Sequence, residues 1–260
     1  MTRRVAVKIA YMGEGFSGSQ FQPGLRTVEG EILSNLSIIS GGREAEWFNF
    51  KCASRTDAGV NSLGNVIVFN TEIHDDRELL KGLNAVSKGV YYRSIADVDE
   101  TFNPRWANSR IYKYVLRSEG MDRDAVEKCL KIFEGKHDFK NFCKQDGKPT
   151  ETDIESISLE WGEGTAVIRF QARFFLWHLI RRIVGAAGAV GRGDASLKDV
   201  ETALKGGGVS FGTARADALT LVDIVYKGLE FNVPDDSILD DAIDEELFRC
   251  SLRKIFFSSL

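Results

Sequence analysis

Cysteine and histidine are scarce in this chain and long apolar runs are missing, and each shortage closes a class of function. The four cysteines, Cys52, Cys129, Cys143 and Cys250, are scattered with no C-x-x-C spacing. That leaves neither a disulfide framework nor a thiolate zinc site, and buried free thiols are the expectation. The three histidines, His74, His137 and His178, stand too far apart in sequence to announce a metal centre. No stretch reaches the roughly 18–20 uncharged apolar residues that a membrane span needs. Met1-Thr2-Arg3-Arg4 opens onto an alternating strand and not onto the apolar core of a signal peptide, so the expected setting is the cytoplasm. The strands also lack the Arg/Lys-Gly-aromatic signature of the commonest RNA-binding module.

What is present begins with an uneven charge distribution. The formal net charge of −4 argues at face value against a polyanionic partner. Yet Asp235 to Glu246 holds seven acids and no Lys or Arg, and without that segment the charge of the remainder moves from −4 to +3. Gly164 to Gly193 carries Arg169, Arg173, Arg181, Arg182 and Arg192 with no acid among them. Local field, not net charge, steers a polyanion. The same arginines would also suit a solvated strand and helix face, so charge by itself leaves both readings open.

Hydrophobic periodicity predicts a strand at Val5–Tyr11 and a helix over about Thr27–Ile39 striped by Val28, Ile32, Leu36 and Ile39. Strands are expected near Glu46–Cys52 and Asn65–Asn70, then a helix opened by Asp75 or Asp76 and a strand at Gly89–Val98. A second round follows: a strand at Arg110–Arg117, a helix at about Asp122–Phe133, strands at Ile154–Glu160 and Thr165–Ala172, helical material over Phe175–Val190 and over Ser196–Leu204, the latter capped by Ser196 with Asp199 at the fourth position, and a strand at Thr220–Tyr226. The β-α-β-β-α-β order implies an α+β fold of two split βαβ units, antiparallel sheets joined into a central sheet with helices packed on one side. Pro104 interrupts periodic structure, which divides the chain into an N-terminal unit at 1–103, a C-terminal unit at 104–230 and an acidic helical appendage at 231–260.

Ala53-Ser54-Arg55-Thr56-Asp57-Ala58-Gly59-Val60-Asn61 lies between aromatic and β-branched strand material, a polar loop on a rigid support. In an extended run Arg55 and Asp57 point to one side, and Gly59 permits a sharp turn behind the carboxylate. Asp-Ala-Gly is equally an ordinary turn. Gly13-Glu14-Gly15-Phe16-Ser17-Gly18 is a literal G-x-G-x-x-G, but Phe21-Gln22-Pro23-Gly24 intervenes before the next helix. A dinucleotide-binding turn opens its helix directly, so these glycines are better read as a loop closely approached by another backbone or a ligand. Tyr112 and Tyr114 share one strand face, either as core or as a phenol offered to a base. Phe174 to Gly185 reads as a buried helix with Arg181 and Arg182 on its margin. A desolvated arginine normally wants a carboxylate, and Asp57 would qualify.

Together these pieces resemble the TruA family of tRNA pseudouridine synthases over most of Val5 to Tyr226. Tyr11 to Gln20 resembles the family's Tyr-x-Gly-x-x-Phe-x-Gly-Trp-Gln, and Ser54 to Asn61 its Gly-Arg-Thr-Asp-Ala-Gly-Val-His. Arg110 to Tyr114 matches the Arg-x-Tyr-x-Tyr strand, Gly135 to Phe139 matches the Gly-x-His-Asp-Phe turn, and Phe175 to Gly185 resembles the Phe-Leu-x-His-Met-Val-Arg-x-Ile-Val-Gly helix. Ser19, Ser54 and Asn61 depart from the family's Trp, Gly and His, so RNA contacts near those loops are expected to differ. The resemblance implies isomerisation of uridine to pseudouridine, which has no net redox change and calls for no cofactor and no metal. It assigns Asp57 as the essential carboxylate, Arg181 as its cationic neighbour, and Tyr112 as the ring that stacks on uracil and helps remove the C5 proton. Arg55 would fill the gap left by the flipped nucleotide, with Thr56, Gly59, Gln20 and His178 completing the substrate-binding set. It further implies a tRNA partner, engaged at positions 38–40 of the anticodon stem-loop, and a homodimer. The rival readings are a non-catalytic module that binds structured RNA and, more remotely, a dinucleotide-dependent enzyme.

Overall fold

A computed structural model describes residues 1–260 apart from the side chain of Asp236. In chain order β1 (Arg3–Tyr11), α1 (Val28–Ile39), β2 (Lys51–Cys52), β3 (Asn61–Thr71), α2 (Asp76–Val86) and β4 (Val90–Asp97) form the first round. The second comprises β5 (Ser109–Arg117), α3 (Arg123–Lys131), β6 (Gly135–Asp138), β7 (Glu151–Trp161), β8 (Thr165–Ala172), α4 (Leu179–Gly191), α5 (Leu197–Leu204) and β9 (Leu219–Val225), and α6 (Asp240–Ser258) ends the chain.

All nine strands belong to one sheet, in the order β4-β1-β3-β9-β5-β8-β7-β6, with β2 beside β3. The outer edge of β3 is shared. Its later half pairs with β2 through Ile67 and Val68, while its first residues, Asn61 and Ser62, run parallel to Thr220 and Leu221 of β9. That parallel contact is the seam between the two rounds, and the register carries a row of side chains across it: Tyr11 opposite Ser62, Ser62 beside Leu221, Leu221 opposite Tyr112, and Tyr112 opposite Phe170. Helices of both rounds pack on the side this row faces. Val28, Ile32 and Leu36 of α1 and Leu79, Leu80 and Leu83 of α2 close over Val5, Val7, Ile9 and Tyr11. Val126 and Leu130 of α3 and Ile180, Ile183 and Val184 of α4 join Tyr112, Phe170 and Leu221 in a second core.

The helix starts follow from local chemistry. Thr27 accepts from the Gly30 N–H and Asp75 from that of Glu78, the N-cap arrangement that satisfies otherwise orphaned donors. Ser196 and Asp199 exchange side-chain and backbone bonds in a capping box ahead of α5.

Three predicted elements differ. The expected strand at Glu46–Cys52 is a 3-10 turn over Ala45–Phe48 followed by only two paired residues, because Asn49 adopts a left-handed conformation, φ 43°, that breaks the extended run. The helix expected from Phe175 begins at Leu179, after an irregular segment that ends at His178 with φ 65°. Gly135–Asp138, expected as a turn, pairs with β7 as the edge strand β6. Among the described residues no helix is long and apolar enough to cross a membrane.

Candidate active site

The loop from Ala53 to Val60 sits at the β3/β9 seam, held from beneath by hydrogen bonds that involve every sequence departure noted above. The Ser19 hydroxyl accepts from the Thr56 N–H at 2.8 Å, and the Ser19 N–H donates to the Thr56 carbonyl at 3.0 Å. Ser19 is buried, so a small residue here lets two loops dock backbone to backbone. Asn61 accepts from the Gly13 N–H at 2.8 Å through Oδ1 and donates to the Asp217 carbonyl at 2.8 Å through Nδ2, tying the glycine loop to the segment before β9. A Cβ on Gly13 would lie 2.4 Å from the Gly59 carbonyl carbon, which is why that position must lack a side chain. The glycine-rich loop is thus a close backbone packing partner of the Asp57 loop.

Ser54 is held by Arg110. The Arg110 Nε donates to Ser54 Oγ at 2.9 Å, and its two Nη groups donate to the carbonyls of Ala53, Arg105 and Arg173. Arg110 is buried and meets four neutral oxygens and no carboxylate, so its guanidinium serves as a clamp that fastens the loop to β5, to the end of β8 and to the chain near Pro104. Replacing it by Met should destabilise the fold by about 2–4 kcal/mol, since hydrogen bonds to a charged group are worth more than neutral ones and several acceptors are left without donors. A urea-unfolding midpoint close to wild type would contradict the clamp.

Above this base stands Asp57, its side chain 30% exposed. Arg181 of α4 donates through Nη1 to Asp57 Oδ2 at 3.3 Å and through Nε to the Ala214 carbonyl at 2.7 Å. Its side chain is only 17% exposed, so it presents a largely desolvated positive charge that water screens weakly. His178 Nε2 lies 3.2 Å from the same oxygen. Burial lowers the His178 imidazole below its ordinary value, against the opposing pull of Asp57, and favours the neutral ring. Asp57 Oδ1 accepts from the Trp177 indole N–H at 2.9 Å. Beneath the carboxylate, Tyr112 is buried edge-on to Phe175, ring centroids 5.2 Å apart. Its phenol is pushed up to about 12, chiefly by burial and against the pull of Arg110, and so keeps its proton.

Of the residues singled out from sequence, the structure brings Asp57, Arg181, His178 and Tyr112 together. Thr56 is buried with its hydroxyl 2.8 Å from that of Tyr11, so its side chain is engaged within the protein. Gly59, φ 83°, lies against Ala216. Arg55 and Gln20 are exposed and, among the described residues, Arg55 makes no ion pair. Trp177 carries no signal of this role in the sequence, because a tryptophan within an apolar run reads as core; the neighbouring His178 is the one hint. Lys144 extends the cluster, its Nζ 3.8 Å from the Trp177 ring centroid. Cys52, nearby, is no nucleophile: burial pushes its thiol up to about 12.

A carboxylate reachable from solvent, set against a desolvated guanidinium and above a buried ring, can act as a nucleophile or stabilise developing positive charge without a metal. Comparison with known proteins agrees with that chemistry. A family model described as tRNA pseudouridine synthase matches residues 130–227. The tRNA pseudouridine synthase A of Pyrococcus abyssi is 40% identical over 90% of this chain and 89% of its own length. That of Pyrococcus horikoshii is 40% identical over 97% of this chain and 94% of its own. The Methanosarcina mazei protein of the same name is 39% identical over 73% and 71% respectively. The alignments with the two Pyrococcus proteins run far beyond the region matched by the family model and cover nearly the whole chain, and on that ground it belongs to the tRNA pseudouridine synthase A family, whose members are isomerases.

Proposed function

We propose that this enzyme converts uridine to pseudouridine at positions 38–40 of the tRNA anticodon stem-loop, with Asp57 as the reacting carboxylate. The observation that carries the reading is the Asp57–Arg181 pair, formed across a sequence separation of 124 residues at the seam of the sheet. The reaction breaks the N1–C1′ bond, turns the uracil and rejoins it through C5. Asp57 adds to the sugar C1′, adds to the base C6, or assists a glycal route; its place beside Arg181 suits all three. The desolvated guanidinium supplies a preorganised field for charge that changes during the reaction. Tyr112 retains its proton in the free protein, and its buried ring would stack on uracil only once the site opens to admit the base.

A base inside a stem-loop reaches such a pocket only by eversion, at a cost of a few kcal/mol that stacking and phosphate contacts offset. Exposed Arg55, two residues before Asp57, is placed to occupy the vacated space, with Gln20 at the same rim and Gly59 allowing the backbone to turn close by. Two units meeting near Pro104 would frame the cleft. The reading also carries a cytoplasmic homodimer; exposed Phe248, Leu252 and Phe256 of α6 are apolar surface available to a second chain.

Mapping pseudouridines in unmodified tRNA after treatment with the pure protein is the test. Conversion confined to the anticodon arm supports the assignment. Conversion elsewhere in the molecule overturns the proposed position, and none at all overturns the activity.

A further inference from the structure

In the free protein Asp57 has a donor against each of its oxygens, Trp177 at Oδ1 and Arg181 at Oδ2, and these neighbours are not equivalent. Arg181 is anchored by its second bond to the Ala214 carbonyl and by a backbone bond from the Ala214 N–H to its own carbonyl at 3.0 Å. Trp177 is fixed through its backbone, where its carbonyl accepts from the Lys144 N–H at 2.8 Å, but its ring has no second hydrogen bond. Its indole N–H donates only to Asp57, the residue is 44% exposed, and the ring otherwise meets the flexible ammonium of Lys144 and, edge-on, the His178 ring at 5.4 Å between centroids. It belongs to the irregular segment ahead of α4 and immediately precedes His178, one of two non-glycine residues with positive φ. Such a conformation in a non-glycine residue is strained and persists only when its surroundings impose it. Beside the indole lies a cavity of about 340 Å³ lined by Lys144, Gln145, Phe174, Phe175, Leu176 and Trp177 itself.

We propose that Trp177 gates Asp57: its indole N–H closes Oδ1 in the free protein, and an entering tRNA nucleotide displaces the ring toward this cavity, freeing the oxygen and presenting the indole face to an RNA base. The inference rests on Asp57 being the reacting carboxylate. An oxygen whose lone pair is committed to an N–H is a poorer nucleophile, and a ring beside the exposed side of the carboxylate stands where an everted base must enter. Room to move, an unanchored ring and a strained neighbour occur together here. The gate acts through Asp57 as a positioning residue and takes no part in bond making.

The test has two arms. Protein labelled with 5-fluorotryptophan has four fluorine resonances, one for each tryptophan, and the one missing from Trp177→Phe or Trp177→Tyr is assigned to Trp177. Saturating unmodified tRNA should move that resonance, and Asp57→Ala without RNA should move it in the same direction. A Trp177 resonance unmoved by tRNA overturns the gate whether or not the protein is active, which separates this failure from failure of the enzymatic reading. In the second arm Trp177→Phe keeps a stacking ring but lacks the N–H. Because a closed state taxes binding, this variant should show a KM for tRNA about three- to tenfold lower with kcat maintained. A fall in kcat at unchanged KM would mean that the N–H works during turnover, and an unchanged KM with unchanged kcat would mean that no closed state opposes binding; either result overturns the proposal.

Discussion

Asp57→Asn is expected to lower pseudouridine formation by a factor on the order of 10⁴ or more, the scale seen when an essential nucleophile is removed, while tRNA binding stays close to that of the parent protein. The amide is nearly isosteric with the carboxylate, and the Asp57 side chain is partly exposed rather than packed in a core. Nothing beneath it depends on its charge: the loop is fastened through Ser19, Ser54, Thr56 and Asn61. Arg181 keeps its bond to the Ala214 carbonyl in the variant. The loss should therefore fall on kcat, with the melting temperature and the affinity for unmodified tRNA little changed. Nucleoside analysis of treated tRNA beside an equilibrium binding measurement reads both quantities. Appreciable turnover by the variant would remove Asp57 from the chemistry.

The second large effect is expected at Arg181. Changing it to Met removes the desolvated charge that faces Asp57 and should cost about 10²–10³ in kcat, comparable to the loss of one preorganised donor at other charged transition states. Lysine should not rescue it fully. Arg181 divides two donors between Asp57 Oδ2 and the Ala214 carbonyl, whereas a lysine ammonium is a compact point charge without the planar fork. A loss of roughly tenfold or more should remain in the lysine variant. Steady-state kinetics with separate kcat and KM decide the matter: a change confined to KM would make Arg181 an RNA-binding residue and not the partner of the reacting carboxylate.

How far the sequence disclosed this arrangement depends on the range of the interaction. Elements set by local periodicity and caps were legible: the Val28-Ile32-Leu36 stripe of α1, the Asp75 cap and the Ser196-Asp199 capping box lie where the pattern puts them. The Asp57–Arg181 pair could be anticipated because a buried arginine needs an acceptor, although only the fold shows that the two meet. The parallel contact of β3 with β9 leaves no periodic trace, since it rests on two residue pairs. Tertiary context also reversed local readings. Trp47 and Phe48 are good strand formers, yet they occupy a 3-10 turn. Trp177, indistinguishable from core by its apolar neighbours, turns its N–H to the carboxylate.

The three departures from the family pattern teach a related lesson. Ser19, Ser54 and Asn61 stood out as positions where RNA contacts would change, because they flank the loop most concerned with substrate. In the folded protein all three are buried and hydrogen-bonded to backbone or to Arg110. They build the support on which Asp57 stands. A residue-type difference near a site reports on substrate only when its side chain faces the cleft, and burial cannot be read from spacing alone.

The central claim, that the carboxylate at position 57 drives isomerisation of uridine in tRNA, is tested most directly by release of tritium from tRNA carrying 5-tritiated uridine, because the C5 hydrogen leaves only when the base is rejoined through that carbon. The account predicts release by the wild-type protein that rises to a plateau set by the number of target uridines, and none above background for Asp57→Asn at equal tRNA occupancy. Equal release by the two proteins, or no release by the wild type, would contradict it.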